Sequence, residues 1–198
     1  MKKFELTSET KINIFGKKLF RIKALISFAD VEAGETGGWV EKEGNVNQSG
    51  NAWVSGDAIV YGNAKVSGNA WVSGDAIVYG NAMVSGNAWV YGDAKVYGNA
   101  EVSGDAKVYG NAKVSGDAIV YGDAKVYGDA DYTTIHGFGA QFRTTTFFRC
   151  KDKKVRVACG CFFGTIPEFR EQVKNTRKGK IAEEYLMIAD LMENHFEK

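Results

Sequence analysis

The sequence predicts a mainly β fold: a parallel β-helix of about four to five triangular coils, flanked by a small N-terminal β cap and a C-terminal α+β domain. Three observations carry this. Glycine recurs at every sixth residue from Gly50 through Gly128, fourteen times, each followed by Asn or Asp and then Ala. Valine holds the fourth place after these glycines from Val54 to Val126. Residues 51–68 and 69–86 differ only at Lys65 versus Met83, so three hexads make one 18-residue coil.

Each slot of the hexad has a physical role. Gly and Asn/Asp tolerate positive φ, so the adjacent pair forms the corner. Ala is small enough for the bend. Val is β-branched and suits an inward position on a short strand. Alternation then sends its neighbours outward: the variable residue before it and the Ser or Tyr after it. One hexad cannot bury its valine alone, but stacked copies align the valines into an interior column. Fourteen hexads rise ~22 Å at ~4.8 Å per strand step.

Val-x-x-x-Ala-x in tandem resembles the hexapeptide-repeat, left-handed parallel β-helix family, and the handedness is implied by that resemblance alone. Here Tyr often follows the Val, where that family tends to have a small residue. The chain also resembles a narrower group, the hexapeptide-repeat proteins of phages and prophages that carry transferase or polymer-forming cytoskeletal labels. Gly34-Glu35-Thr36-Gly37-Gly38-Trp39-Val40-Glu41, the array, and Thr144–Phe148 through Cys159-Gly160-Cys161-Phe162, with Gly164-Thr165 and Glu168-Phe169, carry this second resemblance. It implies a phage-like origin and, with it, the cytoplasm of a bacterial host.

The flanks complete the domain plan: residues 1–43 as the cap, 44–135 as the β-helix and 136–198 as the C-terminal domain. Lys11–Phe15 and Leu19–Leu25 alternate around Gly16-Lys17-Lys18 and read as a hairpin covering the first coil, whose open edge would otherwise invite aggregation. Arg143–Cys150 and Lys154–Cys159 read as a second hairpin around Lys151-Asp152-Lys153. Thr165-Ile166-Pro167-Glu168 is a helix start, with a Thr cap, Pro in the first turn and Glu at the capping-box place. A last helix follows Gly179, with Ile181, Tyr185, Ile188, Met192 and Phe196 on one face.

Composition narrows the function. With 25 basic and 24 acidic residues in 198, no strong attraction to nucleic acid or membrane is implied. Three cysteines do not make a disulfide framework, and MKKFELTSET lacks an apolar run of signal-peptide length. Acyltransferases of this β-helix family place a histidine at the coils as general base. This array has none; the two histidines are His136 and His195. Non-catalytic function is therefore the expectation, with no cofactor and no metal. The Cys159-Gly160-Cys161 spacing leaves one residue between cysteines where zinc sites leave two to four.

Two regions are candidate binding surfaces. A period of 18 stacks Trp53, Trp71 and Trp89 in one column, Ile59 and Ile77 in another, and Tyr61, Tyr79 and Tyr97 in a third. A contiguous apolar patch implies a partner, and a second copy is the expectation, as a trimer by analogy with the wider family; cover by the chain's own flanks is the alternative. The other region is basic: residues 136–198 carry a net +4 against −4 for residues 50–135. Arg143, Arg149, Lys151, Lys153, Lys154 and Arg156 interleave with Phe147 and Phe148 near His136. Arginine binds phosphate and phenylalanine can stack on a base, which fits a small anion such as a nucleotide rather than duplex DNA. The expected function is a rigid binding scaffold for its own copies, a host protein or a ligand. The alternatives are a trap that sequesters a nucleotide signal of host defence, and an acyl- or nucleotidyl-transferase.

Overall fold

The computed structural model describes residues 2–139 and 141–197. Strands β1 (Phe4–Ile12), β2 (Lys18–Ala24) and β3 (Thr36–Val40) precede thirteen two-residue strands, one per hexad, from β4 (Trp53–Val54) to β16 (Lys125–Val126). The chain closes with β17 (Tyr132–Phe138), β18 (Arg143–Arg149), β19 (Val155–Cys159), β20 (Phe162–Thr165), α1 (Ile166–Thr176) and α2 (Gly179–Phe196).

The short strands pair in parallel with strands 18 residues away, so the array is a three-sided parallel β-solenoid. One side has the order β16-β13-β10-β7-β4, the second β15-β12-β9-β6, and the third continues β3-β5-β8-β11-β14 beyond the antiparallel pair β1-β2. Register is the one the repeat implies: Trp53 faces Trp71, Trp71 faces Trp89, and Trp89 faces Lys107. Every repeat Ala and Val from Ala52 to Val126 is fully buried. The inner column thus alternates a small and a branched side chain, a pairing suited to a narrow interior.

The corner differs from expectation in one respect. Gly50 through Gly122 all take φ between +63° and +75°, but no Asn or Asp joins them in the left-handed region among the described residues. Glycine carries the bend alone because an L side chain is strained there. The amides serve another purpose: Asn63, Asn81 and Asn99 form a ladder ending on Asp117, and Asn69 and Asn87 form one ending on Asp105, at 2.9–3.2 Å. An Asn amide has both donor and acceptor and so extends a ladder; a carboxylate only accepts and so ends it.

Winding starts before the glycine repeat. Trp39 and Val40 of β3 pair with Ile59 and Val60, and Val46 bridges Val66. The N-terminal hairpin is longer than its sequence pattern: β1 begins at Phe4, and Phe15 lies in the turn closed by Asn13 N–H to Lys17 O and Gly16 N–H to Asn13 O. At the other end β17-β18-β19-β20 form an antiparallel sheet of four strands, two more than the single hairpin expected. Phe148, Cys150 and Ala158 of that sheet join the solenoid core, while Phe147 and Val157 face the helices. Helix α1 starts as its sequence indicates, Thr165 Oγ1 accepting from Glu168 N–H and Glu168 Oε2 from Thr165 N–H. Tyr185, Ile188, Met192 and Phe196 of α2 are buried against this sheet and α1. No helix of the described residues is long and apolar enough to cross a membrane.

Candidate functional site

The outward columns form as spaced. Tyr61, Tyr79 and Tyr97 stack with ring centroids 5.1 and 5.0 Å apart and planes within 5°. Trp71 and Trp89 stack at 6.0 Å, and Lys107 Nζ lies 5.3 Å from the Trp89 ring centroid. A second tyrosine ladder, not singled out in sequence, runs beside them: Tyr91 and Tyr109 stack at 5.0 Å and Tyr127 meets Tyr109 edge-on. The same period of 18 residues generates it.

Exposure along a column is uneven, because the chain's own N-terminal flank covers part of the face, the alternative to cover by a second copy. Trp53 is fully buried because Phe4 and Phe28 of the chain's own cap pack edge-on against it. Trp71 is half-buried and Trp89 is 45 % exposed. On the neighbouring side Leu19 of β2 closes over Trp39 and Tyr61, and Phe15 stacks on Tyr61. Ile59, Ile77, Tyr79 and Tyr97 stay half-buried. The first coil is therefore covered within the chain, and the open part of the Trp column begins at Trp71.

The cap also buries a cation. Lys3 Nζ donates to Ala52 O at 2.7 Å and Gly50 O at 3.2 Å, and lies 4.9 Å from the Phe28 ring. These carbonyls hold the ammonium at the solenoid's N-terminal edge. Burial pushes its pKa down to about 8.

The basic hairpin does not form one patch. Phe147 and Phe148, read in sequence as rings for a base to stack on, are fully buried on opposite faces of β18. Arg149 donates to Phe196 O at 2.6 Å and sits 3.7 Å from Asp131, which ties α2 to the sheet. Arg156 pairs with Asp152 at 2.8 Å across the turn that holds Lys151, Lys153 and Lys154. His136 is exposed and hydrogen-bonded to Thr144 Oγ1 at 2.9 Å. Arg143 lies at the far end of β18, in a cleft between the sheet and the helices that also takes in Arg177 and Tyr185. Sequence reasoning missed those two, because helix packing alone brings them there.

Cys150 is buried and its thiol is pushed up to about 12, by burial and then by Asp123. Cys159 is half-buried and accepts from Thr145 Oγ1 at 3.1 Å, whereas Cys161 is exposed. Among the described residues, no group of three or more His, Cys, Asp and Glu side chains could hold a metal ion.

Three stretches of the array, residues 64–80, 76–92 and 106–122, match the family model described as YdcK beta solenoid repeat. That likeness agrees with the observed winding and concerns the repeat, not an activity. No curated protein sequence matches the chain.

Proposed function

We propose that this chain is a non-catalytic binding scaffold, a closed prism that docks side-on against a second copy of itself. The observation that carries the reading is the pairing of sealed ends with an open side. At the first coil Phe4 and Phe28 cover Trp53. At the last, Thr146 Oγ1 accepts from Ile119 N–H, Lys151 N–H donates to Asp123 O, and the Tyr132 hydroxyl donates to Lys113 O. These C-terminal contacts, and Lys3 Nζ on Gly50 O and Ala52 O at the other end, occupy backbone groups that end-to-end stacking of solenoids would need, which argues against a polymer built that way.

The sides remain. Trp89 and Tyr127 are 45 % and 62 % exposed beside Lys107 and Lys125. Trp71 stacks on one face of the Trp89 ring and Lys107 lies over the ring, while Tyr127 meets Tyr109 edge-on, so these columns offer ring edges and a hydroxyl to a flat partner. A second copy has the same ~4.8 Å rise and stays in register along the whole ladder, which an irregular surface cannot do. Lysines on the flat and aspartates at the corners supply complementary charge. The flank resemblance to phage hexapeptide-repeat proteins supports action in a bacterial cytoplasm, with a trimer as the expected closed form.

Sedimentation velocity at micromolar concentration tests this. The wild-type chain is expected as an oligomer, and Trp89→Glu as a monomer with an unchanged far-UV CD spectrum. A wild-type monomer throughout the micromolar range would sink the reading.

A further inference from the structure

The C-terminal unit contains a second feature that does not depend on the lateral face. The chain has six arginines. Four of them pair with a carboxylate: Arg21 with Asp57, Arg149 with Asp131, Arg156 with Asp152, and Arg170 with Asp190 and Glu193. The remaining two, Arg143 and Arg177, have no acidic partner among the described residues, and both line the same cleft of ≈ 290 Å³. No Asp or Glu is among the described residues that line it. Two arginines without a counter-charge, placed together in an acid-free concavity, are what an oxyanion site requires.

The local structure supports that placement. The β19–β20 turn runs through Gly160 at φ +62°, where a Cβ would come within 2.3 Å of Arg143 Nη1. The guanidinium thus lies over the turn in space that only glycine leaves. Arg177 is the residue that caps the C-terminal end of α1, its backbone N–H donating to Val173 O at 2.8 Å. Gln141 and Gln172 add neutral donors to the rim, and the buried residues Phe169 and Val173 supply an apolar wall. The Tyr185 hydroxyl donates to Phe138 O at 3.3 Å. Both arginines lie near enough to that hydroxyl to act on it electrostatically.

We propose that this cleft binds a small oxyanion, a carboxylate or a phosphate monoester, carried on a compact apolar body. The anionic oxygens lie between Arg143 and Arg177, and the apolar part rests on Phe169 and Val173. The shared chemistry is a planar or tetrahedral group with at least two oxygens for the guanidinium N–H groups.

Cysteine labelling provides a readout. Cys159 and Cys161 line the cleft, whereas Cys150 is buried elsewhere and serves as an unreactive reference. The full chain is titrated calorimetrically with phenyl phosphate, benzoate, inorganic phosphate and phenol. Alkylation of Cys161 by iodoacetamide is followed in parallel by mass spectrometry. Binding of phenyl phosphate or benzoate, with several-fold slower Cys161 labelling, is expected. Which of the two binds tells phosphate from carboxylate. Phenol, lacking the anion, is expected not to bind. Arg143→Gln with Arg177→Gln is expected to abolish both binding and protection while far-UV CD and melting are retained. Absence of binding by every anion overturns the proposal, as does protection that persists in the double variant. Sedimentation of the double variant separates this outcome from failure of the lateral-face reading.

Discussion

Two glycines in the array isolate what the corner requires. Gly104 and Gly116 have nearly the same backbone, φ +69° and +66°. A Cβ on Gly104 would lie 2.8 Å from the backbone N and 3.0 Å from the O of Gly122 in the next coil, while on Gly116 it would meet nothing within 4 Å. Alanine at either site is strained by about 1–2 kcal/mol in the left-handed region. Both substitutions recover about 0.4–1 kcal/mol by restricting the unfolded chain. Gly116→Ala is therefore expected to destabilise by about 1 kcal/mol. Gly104→Ala adds a contact that cannot relax easily, because Gly122 O already accepts from Asp105 N–H at 2.8 Å and sets the spacing between coils. Forcing such a contact costs a further ~1–3 kcal/mol. Urea unfolding followed by far-UV CD, with m-values compared to confirm the same transition, measures the difference. Equal destabilisation by the two variants would refute the argument that coil spacing, as well as φ, demands glycine.

Other outcomes follow from the caps. Trp53→Ala removes a fully buried ring held by Phe4 and Phe28 and is expected to cost about 3–5 kcal/mol, whereas Trp89→Ala in dilute protein costs less than about 1 kcal/mol; thermal unfolding at matched concentration distinguishes them. The unfolded chain keeps the Lys3 proton to about pH 10.5 but the folded chain only to about 8, so unfolding takes up a proton between those values and Lys3 adds stability as pH rises. Relative to Lys3→Met, the wild-type chain is thus expected to gain up to about 3 kcal/mol between pH 7 and pH 10. Tyr61 and Tyr79, raised by burial, act in the opposite sense but equally in both proteins, and a pH-independent difference in urea midpoints would contradict the assignment. Thr165→Ala removes the cap of α1 and is expected to cost about 0.5–2 kcal/mol by the same measurement.

Much of the fold is legible in the sequence, for a reason specific to repeats. A fixed six-residue unit wound three to a coil turns spacing in sequence into position in space. The Trp53, Ile59 and Tyr61 columns therefore follow from counting, and so does the Tyr91 ladder that counting could have found. The Thr165 cap and the α2 stripe were equally local, since they rest on neighbours within one or two turns. The candidate sites were not local. Phe147 and Phe148 alternate on a strand, but strand alternation does not reveal that both faces are covered.

By itself, then, the sequence determined the coil, its inward Ala and Val, and which outward side chains stack, because periodicity needs no partner. Only the tertiary structure decided which members of a column stay open: Phe4 and Phe28 reach Trp53 from about 49 and 25 residues away, and no period relates them. It also decided that Arg149 and Arg156 are paired with carboxylates while Arg143 and Arg177 line one cleft with no Asp or Glu among its described lining residues. Charge partners are chosen by the packing of sheet on helix, and that packing leaves no repeat in the sequence.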